Sequence, residues 1–198
     1  MKRAFAQVAW GLIFTLVNIR INGFDLLHDL IGYVLILAGL SKLSRHHRGF
    51  RIALPVAWIR FVLTIAALFG VRYEVSLTRG ESPDIGTISL TALAMVVELV
   101  LFYGICDGIR GMALEKGKKA IASRAGSLWR WSFALGALLL FCMPFQLNYI
   151  LGEIWPILML FALGLLVTHL LLIFLLFRAG RVFGNYGGAG SDGETVGT

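Results

Sequence analysis

Six apolar runs, separated by short polar and charged stretches, organise the chain: Ala4 to Ile19, Leu26 to Leu43, Ala53 to Val71, Ile85 to Cys106, Leu128 to Leu147 and Ile154 to Phe177. A hydrocarbon core about 30 Å thick takes roughly 20 residues of helix at about 1.5 Å each. The last four runs meet that length and predict spanning helices. The first two are short. Arg20 after the first and Lys42 within the second can snorkel to the interfaces, which admits short or tilted spans, with a re-entrant pair as the alternative. The expected architecture is all-α, a polytopic bundle of six transmembrane helices over residues 1–181. Val182 to Thr198 is Gly-rich and small, buries too little apolar area to offset its chain entropy, and is expected to be a disordered cytoplasmic tail.

Composition agrees with lipid as the main solvent. Hydrophobic residues make up 58% of the 198 positions and charged residues 15%, with a mean hydropathy of +0.82. A soluble domain carries about 25% charged residues, because its surface faces water. The net charge of +7 raises the question of nucleic acid, but no RNA- or DNA-binding motif accompanies it. The basic residues lie beside the apolar runs instead. With six spans and both ends inside, Lys2, Arg3, Lys42, Arg45, Arg48, Arg51, Arg110, Lys116, Lys118, Lys119, Arg124, Arg130, Arg178 and Arg181 fall on one side. Only Arg20, Arg72 and Arg79 fall on the other, together with Asp25, Asp29, Glu74, Glu81, Asp84 and Glu153. The positive-inside rule then places both termini in the cytoplasm of a multi-pass cell-membrane protein.

The longest internal loop expected is Asp107 to Gly126, where Ile109, Met112, Ala113, Ala120 and Ile121 are set among Lys116, Lys118, Lys119 and Arg124. It reads as a helix lying on the cytoplasmic surface, or as a solvated extension of the fourth span. Anionic lipids are the expected partners of these basic loops, at about 1 kcal/mol per cation near the leaflet. The N-terminus has the charge and apolar stretch of a signal peptide, but Asn-Ile-Arg-Ile-Asn-Gly follows where a small-x-small cleavage site would stand, so an uncleaved first span is expected.

Two stretches carry a family resemblance. Ile21-Asn22-Gly23-Phe24-Asp25-Leu26-Leu27-His28-Asp29-Leu30-Ile31-Gly32-Tyr33, leading into Val34 to Leu40, resembles a pattern in small, uncharacterised multi-pass membrane proteins of Gram-positive bacteria. In that pattern a short loop with two aspartates enters Ile-Gly-Tyr and an apolar helix. Gly108-Ile109 through Ala113 to Lys116, Ala122, Arg124 and Ala125 is similar to the same family's cytoplasmic loop after the fourth span. The two stretches frame over half of the chain. The resemblance implies a membrane fold and carries no activity. The family pattern has proline where this chain has His28, which argues against an essential role for that histidine.

Ionisable residues inside a membrane are costly and are functional candidates by default. Here they are Arg60, Glu98 and His169, which lie about 10, 12 and 12 Å from the inner ends of the third, fourth and sixth runs at about 1.5 Å per residue. A bundle with those three spans side by side brings them to one level. In one reading Glu98 titrates, Arg60 modulates it and His169 relays in a proton- or ion-linked site. In the other, which we favour from sequence, the opposite charges are structural glue and the histidine a neutral cross-helix partner. Thr64 and Thr168 are candidates to satisfy backbone or histidine at that depth.

A second cluster, Asn18, Arg20, Asn22, Asp25, His28 and Asp29, falls outside. Asp25, His28 and Asp29 share a helical face and offer two carboxylates and an imidazole to a metal. Acidic residues at a helix N-terminus also cap it and oppose its dipole, and that reading carries more weight. No metal or cofactor is expected. Gly111 to Lys119 is a near miss to a P-loop, with one residue too many and no Ser or Thr after the lysine. His46 and His47 belong to a basic loop, and Trp10, Trp58, Trp129, Trp131 and Trp155 to interfacial belts. Gly32 with Gly39, and Gly104 with Gly108 and Gly111, suit close helix packing. With no catalytic motif, the expected function is a non-catalytic membrane accessory or scaffold protein. The alternative is a small secondary transporter or channel using the Glu/Arg/His cluster.

Overall fold

The computed structural model describes residues 1–16, 25–68, 85–144 and 151–184. They form six α-helices: α1 (Lys2–Leu16), α2 (Asp25–Leu43), α3 (Arg48–Leu68), α4 (Ile85–Glu115), α5 (Lys119–Cys142) and α6 (Leu151–Gly184). The described residues include no strand. Among the described residues, four helices are long and apolar enough to cross a membrane, over Arg48–Ala66, Ile88–Glu115, Lys119–Cys142 and Pro156–Gly184. The first two are the short ones, 15 and 19 residues.

Each helix packs on the next in sequence, and α6 returns to α1, closing a ring. Neighbours run antiparallel. Short turns join α2 to α3 and α4 to α5, and Gly180 near the end of α6 faces Phe5 near the start of α1. One end of the bundle therefore carries the start of α1, both turns, the end of α6 and most of the lysines and arginines. Helices α4 and α6 also touch, which leaves α5 packed outside them.

The two turns at the basic end are locally specified. Gly117 adopts φ 66°, the left-handed conformation that favours glycine, and Lys118 N–H reaches the Ala113 carbonyl at 2.7 Å, which ends α4. At the start of α3, Gly49 N–H donates to His47 Nδ1 at 3.0 Å, so His47 caps the helix. Its ring fills the space beside Gly111 of α4. His47, in the short connection before α3, is thus a half-buried capping residue.

The expectation of a surface helix over Asp107 to Gly126 is corrected by the structure; of its alternative, the extension of the fourth span holds as far as Glu115 and the solvation does not. Helix α4 continues to Glu115 and α5 begins at Lys119. Ile109, Met112, Ala113, Ile121, Ala122 and Ala125 are buried inside the bundle instead of lying on a leaflet or in water. The physical reason is that other helices reach this far. Phe50 of α3 stands against Gly108, and Phe183 of α6 lies 5.2 Å beneath the Lys116 ammonium. The tail boundary moves for the same reason, since α6 runs to Gly184 and Phe183 is buried, so residues 182–184 belong to the bundle. Residues 185–198 lie outside the described residues.

Glycines set the two tightest crossings. On the α1–α2 crossing, a Cβ at Gly11 would stand 2.6 Å from the Gly32 carbonyl oxygen, and one at Gly39 2.7 Å from the Ala4 carbonyl oxygen. On the α3–α4 crossing, Gly104 and Gly108 face Gly49, Phe50 and Ala53. Such stripes let backbones approach where lipid provides no hydrophobic drive between helices.

Candidate functional site at the bundle axis

Arg60, Glu98 and His169 come from α3, α4 and α6, and the structure brings all three together. Arg60 Nε lies 2.9 Å from Glu98 Oε2. The Nε–H donates to the Tyr33 hydroxyl oxygen at 3.0 Å, and that hydroxyl donates to Glu98 Oε2 at 3.5 Å. The Arg60 guanidinium also sits 5.7 Å from the Tyr33 ring centre. His169 Nε2 lies 3.5 Å from the other carboxylate oxygen, Oε1, and its ring packs edge-on against Phe102 at 5.1 Å. Helices α2 and α4 are not ring neighbours, so a Tyr33–Glu98 contact places the cluster at the axis.

Tyr33 is the member that reading the charged residues alone misses. Its depth was the available signal: it lies ten residues from Leu43, whereas most of the chain's Trp sit near run ends. The two threonines satisfy their own helices. Thr64 Oγ donates to the Arg60 carbonyl at 3.0 Å and Thr168 Oγ to the Leu165 carbonyl at 2.8 Å. Each is buried.

The Leu165 carbonyl, 2.9 Å from His169 Nδ1, constrains the imidazole. A carbonyl only accepts, so Nδ1 carries a hydrogen. In its neutral form the ring then presents its Nε2 lone pair to Glu98 Oε1. A hydrogen between Nε2 and Oε1 requires either an imidazolium or a protonated carboxyl, so the pair has a place for one additional proton.

Packing differs sharply on the two sides of this level. The twelve largest fully buried side chains are Phe5 and Val8 of α1, Ile36, Leu40 and Leu43 of α2, Phe50 of α3, Leu101, Ile105 and Ile109 of α4, and Leu172, Leu176 and Phe183 of α6. All lie between the cluster and the basic end. Phe5 closes the axis there, with ring centres 6.0 Å from Phe50 and 5.7 Å from Phe183. Toward the other end, no side chain of that size is fully buried among the described residues. The side chains of Arg60, Glu98 and His169 keep 19%, 25% and 17% exposure. The fully buried large side chains thus lie on the basic side of the cluster, while toward the other end the described core is smaller and includes Ile88, Ala94 and Leu158.

The second candidate cluster is only partly visible. Asn18, Arg20 and Asn22 lie outside the described residues, as do the side chains of Asp25 and His28, while Asp29 sits on the first turns of α2. Among the described residues no group of three His, Cys, Asp or Glu is placed to hold a metal ion. Trp10, Trp58 and Trp131 are exposed on the bundle's outer surface, and the Trp155 side chain lies outside the described residues. Comparison of the chain with protein-family models, with curated proteins and with solved structures found no match.

Proposed function

We propose that this chain is a small secondary transporter or channel of the cell membrane, with Arg60, Glu98, His169 and Tyr33 as its internal site. The observation that carries this reading is the uneven core: a scaffold held by an ion pair has no need to leave that pair partly exposed at the edge of its fully buried packing. Access is from the end opposite the basic turns. Under the positive-inside rule that end is extracellular, the six helices all cross, and both termini are cytoplasmic. His169 Nε2 and Glu98 Oε1 face each other and can share a proton, which supports a proton-linked site, with Arg60 holding the carboxylate and Tyr33 bridging the two. The charged and titratable groups facing it among the described residues are Arg60 on α3, Tyr33 and, further off, Asp29 on α2, Glu98 on α4 and His169 on α6; α1 and α5 contribute none at this level.

A non-catalytic accessory or scaffold role is the second reading. It is favoured by the direct 2.9 Å closure of Arg60 on Glu98, which leaves the two formal charges matched. Proteoliposome flux separates the two. Across a panel of inorganic ions and small organic anions at two pH values, a transporter gives pH-gradient-dependent flux that Glu98→Gln abolishes without loss of folded protein. In a Cys142→Ser background, a cysteine at position 98 should react with a membrane-impermeant thiol reagent from the extracellular side. Absence of both flux and labelling would leave the scaffold reading.

Topology has its own test. Cysteines replacing Arg45 or Lys118 should label only from the cytoplasmic side, and one replacing Glu81 only from outside. Labelling at position 81 from the cytoplasm alone would sink the six-span orientation.

A further inference from the structure

The outward edge of α5 is another place where charge and apolar surface meet. Where α5 packs on α6, Arg124 and Arg178 stand at the basic end of a groove of about 380 Å³. Its walls continue toward the bundle's middle with Trp131, Leu171 and Phe174, which are 67%, 52% and 60% exposed. From Arg178 to Leu171 is about 10 Å of helix at about 1.5 Å per residue. Among the described residues the carboxylate of Glu98 pairs with Arg60 and His169 and with neither of these arginines.

We infer that this groove binds one anionic phospholipid, with the phosphate between the Arg124 and Arg178 guanidiniums and an acyl chain along Trp131, Leu171 and Phe174. Two features select this occupant. Two guanidiniums lining one groove suit a phosphate, to which Arg makes short charge-assisted hydrogen bonds in bidentate form. The apolar walls begin immediately beside them, where a soluble phosphate has nothing to place and a diacyl lipid has its chain. The site is more specific than a general attraction of basic loops to a charged leaflet, because it assigns two of the many cations and one face. It is independent of the proposed transport function.

The test is native mass spectrometry of the detergent-purified full chain, offered equal amounts of phosphatidylglycerol and phosphatidylcholine. The expected result is retention of one phosphatidylglycerol with roughly tenfold preference, the scale set by one charge-assisted contact. Arg124→Gln/Arg178→Gln should bring the preference within about twofold, while Arg45→Gln/Arg51→Gln at the same end keeps it. Equal retention of the two lipids, or equal loss in both variants, overturns the site. Displacement of the lipid by millimolar inorganic phosphate overturns the lipid assignment. On the unaltered protein, a diazirine-acyl phosphatidylglycerol should label the α5 and α6 peptides containing Trp131 and Phe174, and labelling confined to other helices refutes the groove.

Discussion

Arg60→Met should lower the stability of the detergent-solubilised protein by about 3 kcal/mol, the low end for breaking a buried ion pair, because the partners keep some exposure. At roughly 2–4 °C per kcal/mol for a chain of this size, the melting midpoint should fall by about 10 °C. The substitution strands Glu98 at the axis and removes the donor that Tyr33 and Glu98 share. Glu98→Gln should cost less, since the amide still accepts from Arg60 and Tyr33. The double variant should recover much of the loss, because replacing both charges removes the desolvation cost of both. A double variant that loses the sum of the two singles would show the residues to be energetically independent. Glu98 would then be held by water instead of Arg60, which would strengthen its role as an accessible carboxylate and remove the pair from the bundle's stability.

The second large effect lies at the helix crossings and has opposite signs at two glycines. Gly11→Ala places a methyl 2.6 Å from the Gly32 carbonyl oxygen and against Ile36, where backbone cannot yield without separating α1 from α2. Overpacking of this kind costs about 1–3 kcal/mol and outweighs the roughly 1 kcal/mol that alanine gains over glycine in a helix. Gly11→Leu should lose more and shift the chain toward aggregation in detergent. At Gly126 of α5 a Cβ meets only the Arg110 side chain, at 3.9 Å. Gly126→Ala should therefore stabilise by about 0.5–1 kcal/mol through backbone entropy. Thermal unfolding of the three variants side by side checks the contrast. Equal destabilisation at positions 11 and 126 would mean that the glycines matter for conformation and not for close approach.

Much of the architecture is legible in the chain because a lipid-facing helix has to be apolar on all sides, which makes the runs from Ala53 and Ile154 stand out without knowledge of their neighbours. Depth is legible too: about 1.5 Å per residue puts Arg60, Glu98 and His169 on one level before any contact is known. Features that depend on packing partners are not. Ile109, Met112 and Ile121 among lysines have the same pattern whether the apolar face meets a leaflet or another helix, and only the reach of Phe50 and Phe183 decides it. Gly32 carries a packing signal on its own, but its partner Gly11 lies 21 positions earlier and emerges only from the antiparallel α1–α2 crossing. Tyr33 joins the charged cluster because α2 points it across the axis, a rotational setting that an all-apolar helix does not encode in its hydrophobic pattern. The uneven core belongs to the tertiary structure as well: burial is a relation between helices, and the sequence alone specifies that these helices are apolar and how long they are.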